Sequence, residues 1–579
     1  MKRLLVYLKG YKKECVLAPL FKMLEASFEL IVPLVIAAIV DIGIGNRDKT
    51  YIVMMCGILI GLGVIGLLVS VTAQYYSAKA AVGFATKLRH SLFQHLMSLS
   101  FTEIDTLGTS TMITRMTSDV NQAQNGVNMV LRLFLRSPFV VFGAMIMAFT
   151  IDVRSALIFF IAIVLLSIVV FGIMLINIPM LKSVQQMLEK VLGKTRENLT
   201  GMRVIRAFGQ EKTQIQEFNA LNEGLTRKHK SSGRISALLN PLTYVIINLA
   251  ICRLICVGAI QVDHNILTQG QVLALYSYMS QILIELIKLA NLIITVNKSI
   301  ASGNRIADVF EIRSSMEFAT QLPKEYQDDK EDIVTFKKVS LTYQNAGQES
   351  LEDIDFTVKK GQTIGIIGGT GSGKSSLVHL IPRFYDATSG EVLLHGTNVK
   401  DIPAEVLSKK IGIVMQKAVL FTGEIQENLR WGKGDATKEE LEEAIKTAQA
   451  EEVVEQKSGL SGYITQGGKN LSGGQRQRMT IARALVKRPE ILILDDSSSA
   501  LDYATDAKLR KAIKALDYEP TVFIVSQRAS SIQYADQIIV MEDGKMVGKG
   551  THQKLLETCD VYKEIYESQY QKSKEAVHG

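Results

Sequence analysis

Cysteine is scarce in this 579-residue chain. The five present, Cys15, Cys56, Cys252, Cys256 and Cys559, form no C-x-x-C pair. A disulfide framework or a cysteine-based metal site therefore has no pattern to rest on. Cys252 and Cys256, one helical turn apart in an apolar run, read as reduced packing residues. A cleavable signal pattern is also missing, because the opening Met-Lys-Arg-Leu-Leu leads into none. Acidic residues are the minority, 57 against 65 Lys and Arg, for a formal net charge of +8. That surplus is a weak argument for a nucleic-acid partner, and none is expected. The basic residues gather beside apolar spans, where the positive-inside rule accounts for them. Apolar residues are what the chain has in excess, at 47%. That is high for a soluble protein and already points to a lipid bilayer.

Six apolar runs fill the first half, at about 16–40, 52–75, 135–151, 155–178, 240–262 and 271–296. Each approaches the ~20 residues that cross a bilayer as a helix. The third is the least clean, because Arg132, Arg136 and Asp152 crowd its ends. The connections 42–51, 152–154 and 263–270 are short, whereas 76–134 and 179–239 are long, basic and helical in pattern. The charge rule puts the long connections and both termini on the cytoplasmic side of a multi-pass protein of the cytoplasmic (inner or plasma) membrane. Charge inside a span needs a reason. Arg253 interrupts the fifth run. Glu285 and Lys288 interrupt the sixth at i, i+3 spacing, so they can neutralise each other. These residues read either as a polar site in a cargo pathway or as a buried structural pair. Tyr276, Tyr278 and Met279 offer adaptable apolar surface or a plain lipid-facing stripe.

A polar stretch follows, containing Gln327-Asp328-Asp329-Lys330-Glu331-Asp332. From Ile333, short β-branched runs alternate with helical patterns, the mark of an α/β domain. Residues 571–579 read as a frayed tail. The predicted division is a transmembrane domain over 1–300, a linker over 301–332 and an α/β domain over 333–579. Within the last, Gly368, Gly369, Thr370, Gly371, Ser372, Gly373, Lys374, Ser375 and Ser376 fit G-x-x-x-x-G-K-[ST]. The apolar run 363–367 precedes the motif and a helical pattern, 377–384, follows it, which is the strand–loop–helix context it requires. The glycines let backbone amides face an anion. Lys374 is placed for the β- and γ-phosphates, and Ser375 for Mg²⁺.

Two further stretches narrow the reading. Leu471-Ser472-Gly473-Gly474-Gln475 precedes a buried-strand run, 491–494, that ends in Asp495. With the phosphate loop, these residues resemble the ATP-binding cassette (ABC) family from Tyr343 to Gln527. Six spans, long internal loops and one nucleotide domain resemble a type IV ABC exporter half-transporter over essentially the whole chain. The segments 108–120 and 200–208 resemble that family's first and second intracellular loops, which lead into coupling helices. The implied fold is a six-helix membrane domain with long cytoplasmic extensions, followed by an ABC-type nucleotide-binding domain. The implied ligands are ATP and Mg²⁺. Tyr343 takes the adenine-stacking place, while Gln416 and Asp495 take the metal-associated places beside Ser375. Ser472–Gln475 take the place that caps a partner's ATP, and Asp502 lies in the loop that links two sites.

The chain departs from the family at two chemical positions. Asp496 stands where the family has a glutamate that polarises the attacking water. Its carboxylate is about 1.3 Å shorter in reach, and misplacement of that order costs about 100-fold. Gln527 stands where the family has a histidine, and glutamine cannot carry a positive charge. Gln466 is a weaker departure. The nearest resemblance is therefore to the degenerate-site subunit of bacterial heterodimeric multidrug exporters. It implies a non-identical half-transporter as partner, a slow ATP site on this chain and an amphipathic or lipophilic cargo. Export of a specific lipid, peptide or metabolite is the alternative. The lack of a protease-like domain ahead of the first span speaks against a leader-cleaving peptide exporter.

Overall fold

Long apolar sequence with helical periodicity becomes long helix. The computed structural model describes residues 2–328, 330–344 and 346–578, as backbone only at Lys2 and over 570–578. Its first part consists of α1 (Arg3–Ile44), α2 (Lys49–Met97), the short α3 (Phe101–Leu107), α4 (Thr109–Ile151), α5 (Val153–Thr200), the short α6 (Met202–Ala207), α7 (Glu211–Asp263) and α8 (Gln269–Glu311). The six long helices are each apolar and long enough to cross a membrane. At ~1.5 Å per residue even the 42-residue α1 is about twice a ~30 Å apolar layer, so helix continues well beyond it.

The chain forms two compact units. One comprises the residues up to Met97 together with Ser110–Ile312, and the other comprises Ser98–Thr109 with everything from Arg313 on. The first has a helical core that includes Leu30, Ala144, Phe159, Leu254 and Tyr278. α8 stays helical through its polar end because small residues there form a close seam. Ser299 and Ser302 are buried, and the Ser299 hydroxyl donates to the Gln122 carbonyl at 2.7 Å. A Cβ on Gly126 would stand 2.2 Å from that hydroxyl oxygen.

Arg136, which in sequence only blurs the third span, is 6% exposed. One guanidinium nitrogen donates to Glu285 at 2.6 Å, and another donates to both Glu29 oxygens at 2.8 and 2.7 Å. Ser137 and Lys288 each donate to Glu285 at 2.8 Å. The expected Glu285–Lys288 pair therefore exists, within a larger cluster that ties α1, α4 and α8 together. Tyr278 and Met279 are fully buried, and the Tyr278 hydroxyl donates to the Leu30 carbonyl at 2.6 Å. They are core residues rather than cargo surface or lipid-facing stripe, and Tyr276 alone of the three is exposed. Arg253 is exposed on α7. Cys252 and Cys256, expected to be packing residues, are exposed too, whereas Cys559 is buried.

Ten strands form the two main sheets of the second unit, apart from a small pair, Gly423–Glu424 with Tyr463–Ile464: β1 (Asp332–Leu341), β2 (Leu351–Lys359), β3 (Thr363–Gly368), β4 (Ser389–Leu394), β5 (Thr397–Asn398), β6 (Ile411–Val414), β7 (Ile491–Asp495), β8 (Thr521–Val525), β9 (Gln537–Glu542) and β10 (Lys545–Gly550). A six-stranded sheet has the order β10-β9-β3-β8-β7-β6, parallel apart from the β9/β10 pair, and a four-stranded antiparallel sheet has the order β2-β1-β4-β5. The central strands are covered on both faces, which is why they read as unbroken apolar runs. Helices α9 (Lys374–His379), α10 (Gly473–Leu485), α11 (Tyr503–Lys514), α12 (Ala529–Ile532) and α13 (Asp560–His578) follow strand ends or flank the sheets. The tail expected to fray is part of α13, which runs to His578. Asp329 of the acidic run and Gly579 lie outside the described residues.

α3 belongs to this second unit although it lies between two membrane helices in sequence. Ser100 and Glu103 close a capping box at its start, and Glu103 also accepts from the Ser315 amide at 3.2 Å. Phe101 stacks on Phe384 with centroids 4.5 Å apart, and the Tyr385 hydroxyl donates to Asp105 at 2.6 Å. Burial opposes ionisation of Glu103, but hydrogen bonds from Ser100 and Ser315 win and hold its pKa below the usual glutamate range.

Candidate nucleotide-binding site

β3, an interior strand, ends at Gly368, and the chain turns through the glycine-rich loop into α9. Glycine is required at two places for different reasons. A Cβ on Gly368 would stand 2.0 Å from the Met541 carbonyl of the neighbouring strand, and Gly373 starts the helix at φ +94. The Lys374 ammonium folds back over this loop, donating to the Gly368 carbonyl at 3.0 Å and reaching the Ser372 hydroxyl at 3.3 Å. Burial lowers its pKa against the pull of Asp496 and Asp495. A buried ammonium held by neutral oxygens, among unobstructed amides, suits an incoming anion.

A cleft of about 220 Å³ opens beside it, lined by Thr370, Gly371, Gly373, Lys374, Ser375, Ser376, Gln416, Asp496 and Gln527 among others. The Ser375 hydroxyl donates to Asp495 Oδ1 at 2.8 Å, and Asp495 is 1% exposed at the end of β7. Asp496, just past the strand, adopts φ 47 and accepts a long, 3.4 Å hydrogen bond from the Gln416 amide. Burial raises its pKa, seconded by the neighbouring Asp495, while Gln416, Lys374 and Arg528 act the other way. The Tyr343 hydroxyl donates to Ser376 Oγ at 3.0 Å, and its ring meets Tyr385 edge-on with centroids 4.9 Å apart. The oxygen donors of Ser375, Asp495 and Gln416 fit a hard cation such as Mg²⁺. Among the described residues no cluster of three His, Cys, Asp or Glu could hold a metal unaided. Phosphate oxygens would therefore complete the shell.

The structure brings the predicted phosphate-loop, metal and chemical positions together and leaves the signature apart. Ser472 caps α10 in a reciprocal box with Gln475, the amides donating at 3.2 and 2.9 Å. Ser472 and Gly473 are exposed, and none of Ser472–Gln475 lines the cleft. Gln466 lies in a 3₁₀ turn, Gln466–Gly468. Asp502 caps α11, accepting from the Thr505 amide at 2.9 Å. Three residues near the site had drawn no notice in the sequence. His379 Nε2 stands 3.3 Å from Asp495 Oδ2, and its position one turn after Ser375 was the available signal. Arg528 reaches the carbonyls of Ser498, Ser499 and Leu501 at 3.4, 3.3 and 3.2 Å. Gln569 bonds the Gln527 carbonyl from 42 residues away, where no local pattern could point to it.

Comparison with known proteins agrees with this geometry. Residues 15–286 match the ABC transporter transmembrane region, and 351–499 match the ABC transporter family model. The chain is 34% identical to the "Uncharacterized ABC transporter ATP-binding protein YfiB" of Bacillus subtilis, covering 98% of this chain and 99% of that one. It is 32% identical to the "Putative multidrug export ATP-binding/permease protein YgaD" of the same organism, over 98% of each. It is 28% identical to an "ATP-dependent lipid A-core flippase" of Chromobacterium violaceum, over 98% and 97%. The solved structure of a bacterial Atm1-family ABC exporter with ATP bound superposes with a TM-score of 0.78 at 21% identity, covering 96% of this chain and 98% of that one. With its six membrane-length helices and its cassette on one polypeptide, this chain belongs to the ABC transporter family and is a half-transporter with the exporter fold.

Proposed function

We propose that this chain is the degenerate-site half of a heterodimeric exporter that moves amphipathic or lipophilic compounds across the cytoplasmic membrane. Residues 1–300 carry the cargo path, 301–332 join the two parts and 333–579 bind nucleotide, with both termini cytoplasmic. Asp496 carries the reading. It is the carboxylate next to the metal position, and it is short, held by Gln416 and set beside Gln527 in the cleft. Tyr343 stacks on adenine, residues 368–376 and Lys374 hold the phosphates, and Ser375, Asp495 and Gln416 hold Mg²⁺. When bound, Mg²⁺ neutralises phosphate charge. Asp496 reaches the attacking water poorly, and Gln527 offers the γ-phosphate a hydrogen bond without charge. ATP is therefore retained here and hydrolysed slowly.

The Ser472–Gln475 cap, exposed at Ser472 and Gly473, lies outside this cleft and serves the partner's ATP. Unpartnered apolar surface supports a second half. Met202, Val204 and Phe208 are exposed on and just after α6, and Phe421 stacks on Trp431 with both rings exposed. The names of two relatives, a multidrug exporter and a lipid flippase, favour a lipophilic cargo; a single dedicated lipid, peptide or metabolite is the second reading. The test is co-purification of the tagged chain with mass spectrometry of its partner, followed by cargo-stimulated ATPase assays. A non-identical half-transporter with a glutamate at the position of Asp496 is the expected result. A homodimer with full ATPase activity would overturn the proposal.

A further inference from the structure

β8 pairs with its neighbours as far as Val525, and the chain then turns through Ser526–Ala529 into the four-residue α12. The Gln527 carbonyl lies past both ladders. The α12 cap residue, Arg528, contributes no side-chain cap. Both backbone groups are met by one side chain from α13. Gln569 Nε2 donates to the Gln527 carbonyl at 2.7 Å, and Gln569 Oε1 accepts from the Ala529 amide at 2.9 Å. A single carboxamide thus brackets Arg528 on both sides, as the peptide of an adjacent strand would.

α13 is a firm base for this grip. Tyr562 is fully buried, its hydroxyl lies 2.7 Å from His552 Nδ1, and Tyr566 packs against the same core. Residues 562, 566 and 569 share one helix face at i, i+4, i+7 spacing. The bracketed turn has two outputs. Gln527 lines the phosphate cleft. The Arg528 guanidinium holds three carbonyls of the Ser498–Leu501 loop and stacks 5.0 Å from the Tyr503 ring, while the Arg528 backbone amide donates to the Ser526 hydroxyl at 3.0 Å.

We propose that Gln569 is a positioning residue. Through it the C-terminal helix sets the Ser526–Ala529 turn, and with it the placement of Gln527 at the terminal phosphate and of the Ser498–Leu501 loop. The part that concerns phosphate rests on the ATP reading above; the backbone grip does not.

The experiment uses the assembled full-length transporter with Gln569→Met, which keeps length and packing but removes both hydrogen bonds, and with Gln569→Glu, which keeps only the acceptor. Hydrogen exchange without nucleotide reads the grip directly. Exchange should rise at the Ala529 amide and over 498–503 in Gln569→Met and stay unchanged over 363–368, with Gln569→Glu protecting Ala529 in part. Photolabelling of this chain with azido-ATP, competed by ATP or ADP, reads the phosphate consequence. Loss of two neutral hydrogen bonds predicts up to about tenfold weaker ATP competition with ADP competition little changed. Unchanged exchange at Ala529 and 498–503, or a uniform rise that includes 363–368, would overturn the inference. Equal weakening for ATP and ADP would overturn the positioning of Gln527. An unlabelled wild-type chain would instead sink the ATP reading and leave the exchange result to decide the grip.

Discussion

The charge cluster of the membrane unit makes a ranked prediction. Two acids, Glu29 and Glu285, face two bases, Arg136 and Lys288, so the set is neutral. Burial is unequal: the side chains of Arg136 and Glu285 are 7% and 4% exposed, and those of Glu29 and Lys288 are 43% and 42%. Replacing Lys288 with leucine removes a half-exposed partner and should cost under ~1 kcal/mol. Glu285→Leu strips Arg136 of its buried partner and leaves it Glu29, for about 2–3 kcal/mol. Arg136→Met leaves Glu285 with Lys288 as its one charged partner beside the Ser137 hydroxyl, and strands Glu29, for about 3–5 kcal/mol. Pairwise replacement separates the roles. Arg136→Met with Glu285→Met removes both buried charges and should recover most of the loss, because apolar residues of similar volume often replace a buried ion pair without penalty. Glu285→Leu with Lys288→Leu should recover little, since Arg136 still lacks its buried carboxylate. The assay is the fraction of purified transporter that stays monodisperse on size exclusion after a heating series, checked against expression level. Full recovery by the Glu285/Lys288 pair, or no recovery by the Arg136/Glu285 pair, would refute the view that Arg136 is the principal partner.

Three other predictions concern the second unit. Asp496→Glu and Gln527→His should each restore little ATPase activity and together more than their sum, measured where the partner's catalytic carboxylate has been replaced; additive gains would mean that the two groups do not serve one transition state. Ser472→Ala should remove the cap of α10 at about 1 kcal/mol, and Gly474→Val would drive a side chain against the Ala500 carbonyl, which lies 2.9 Å from a Cβ there. Both should depress the assembled ATPase far more than Asp496→Asn, and the reverse order would exchange the two sites. The Glu103 pKa is lowered on folding, so its contribution is fully present above the usual glutamate range and is lost as pH falls through the lower folded value. Expressed as a protection factor, with the intrinsic pH dependence of exchange divided out, the Ser315 amide should therefore lose protection on acidification, and its protection should not change with pH over that range in Glu103→Gln.

Local features were the legible ones. Residues 368–376 are readable because a phosphate loop is a backbone shape and glycine spacing encodes it. The six apolar runs are readable because a bilayer imposes length. Asp496 and Gln527 stand out only against the ABC resemblance. Nothing in the run Val525-Ser526-Gln527-Arg528 announces chemistry by itself. What stayed hidden depends on partners distant in sequence. Arg136 looked like a flaw in a span because Glu285 lies 149 residues away. Tyr278 and Met279 were ambiguous because an apolar helix in a bilayer unit has no polar face to show which side is inside. The stretch 301–311, which is the end of α8, resembled a linker because close helix packing uses small polar residues such as Ser302 as readily as loops do.

The inclusion of α3 with the second unit has a practical side. That unit is assembled from two separate stretches of chain, so no single cut releases it whole. A fragment beginning at Arg313 would lack Phe101, Glu103 and Asp105. The Phe384 ring would lose its stacking partner, the Tyr385 hydroxyl its acceptor and the Ser315 amide its carboxylate. Its nucleotide affinity would then report a domain with one wall missing, because Tyr385 also props the edge of Tyr343. A faithful isolated form would tether residues 98–109 to the fragment, through a linker or as an added peptide.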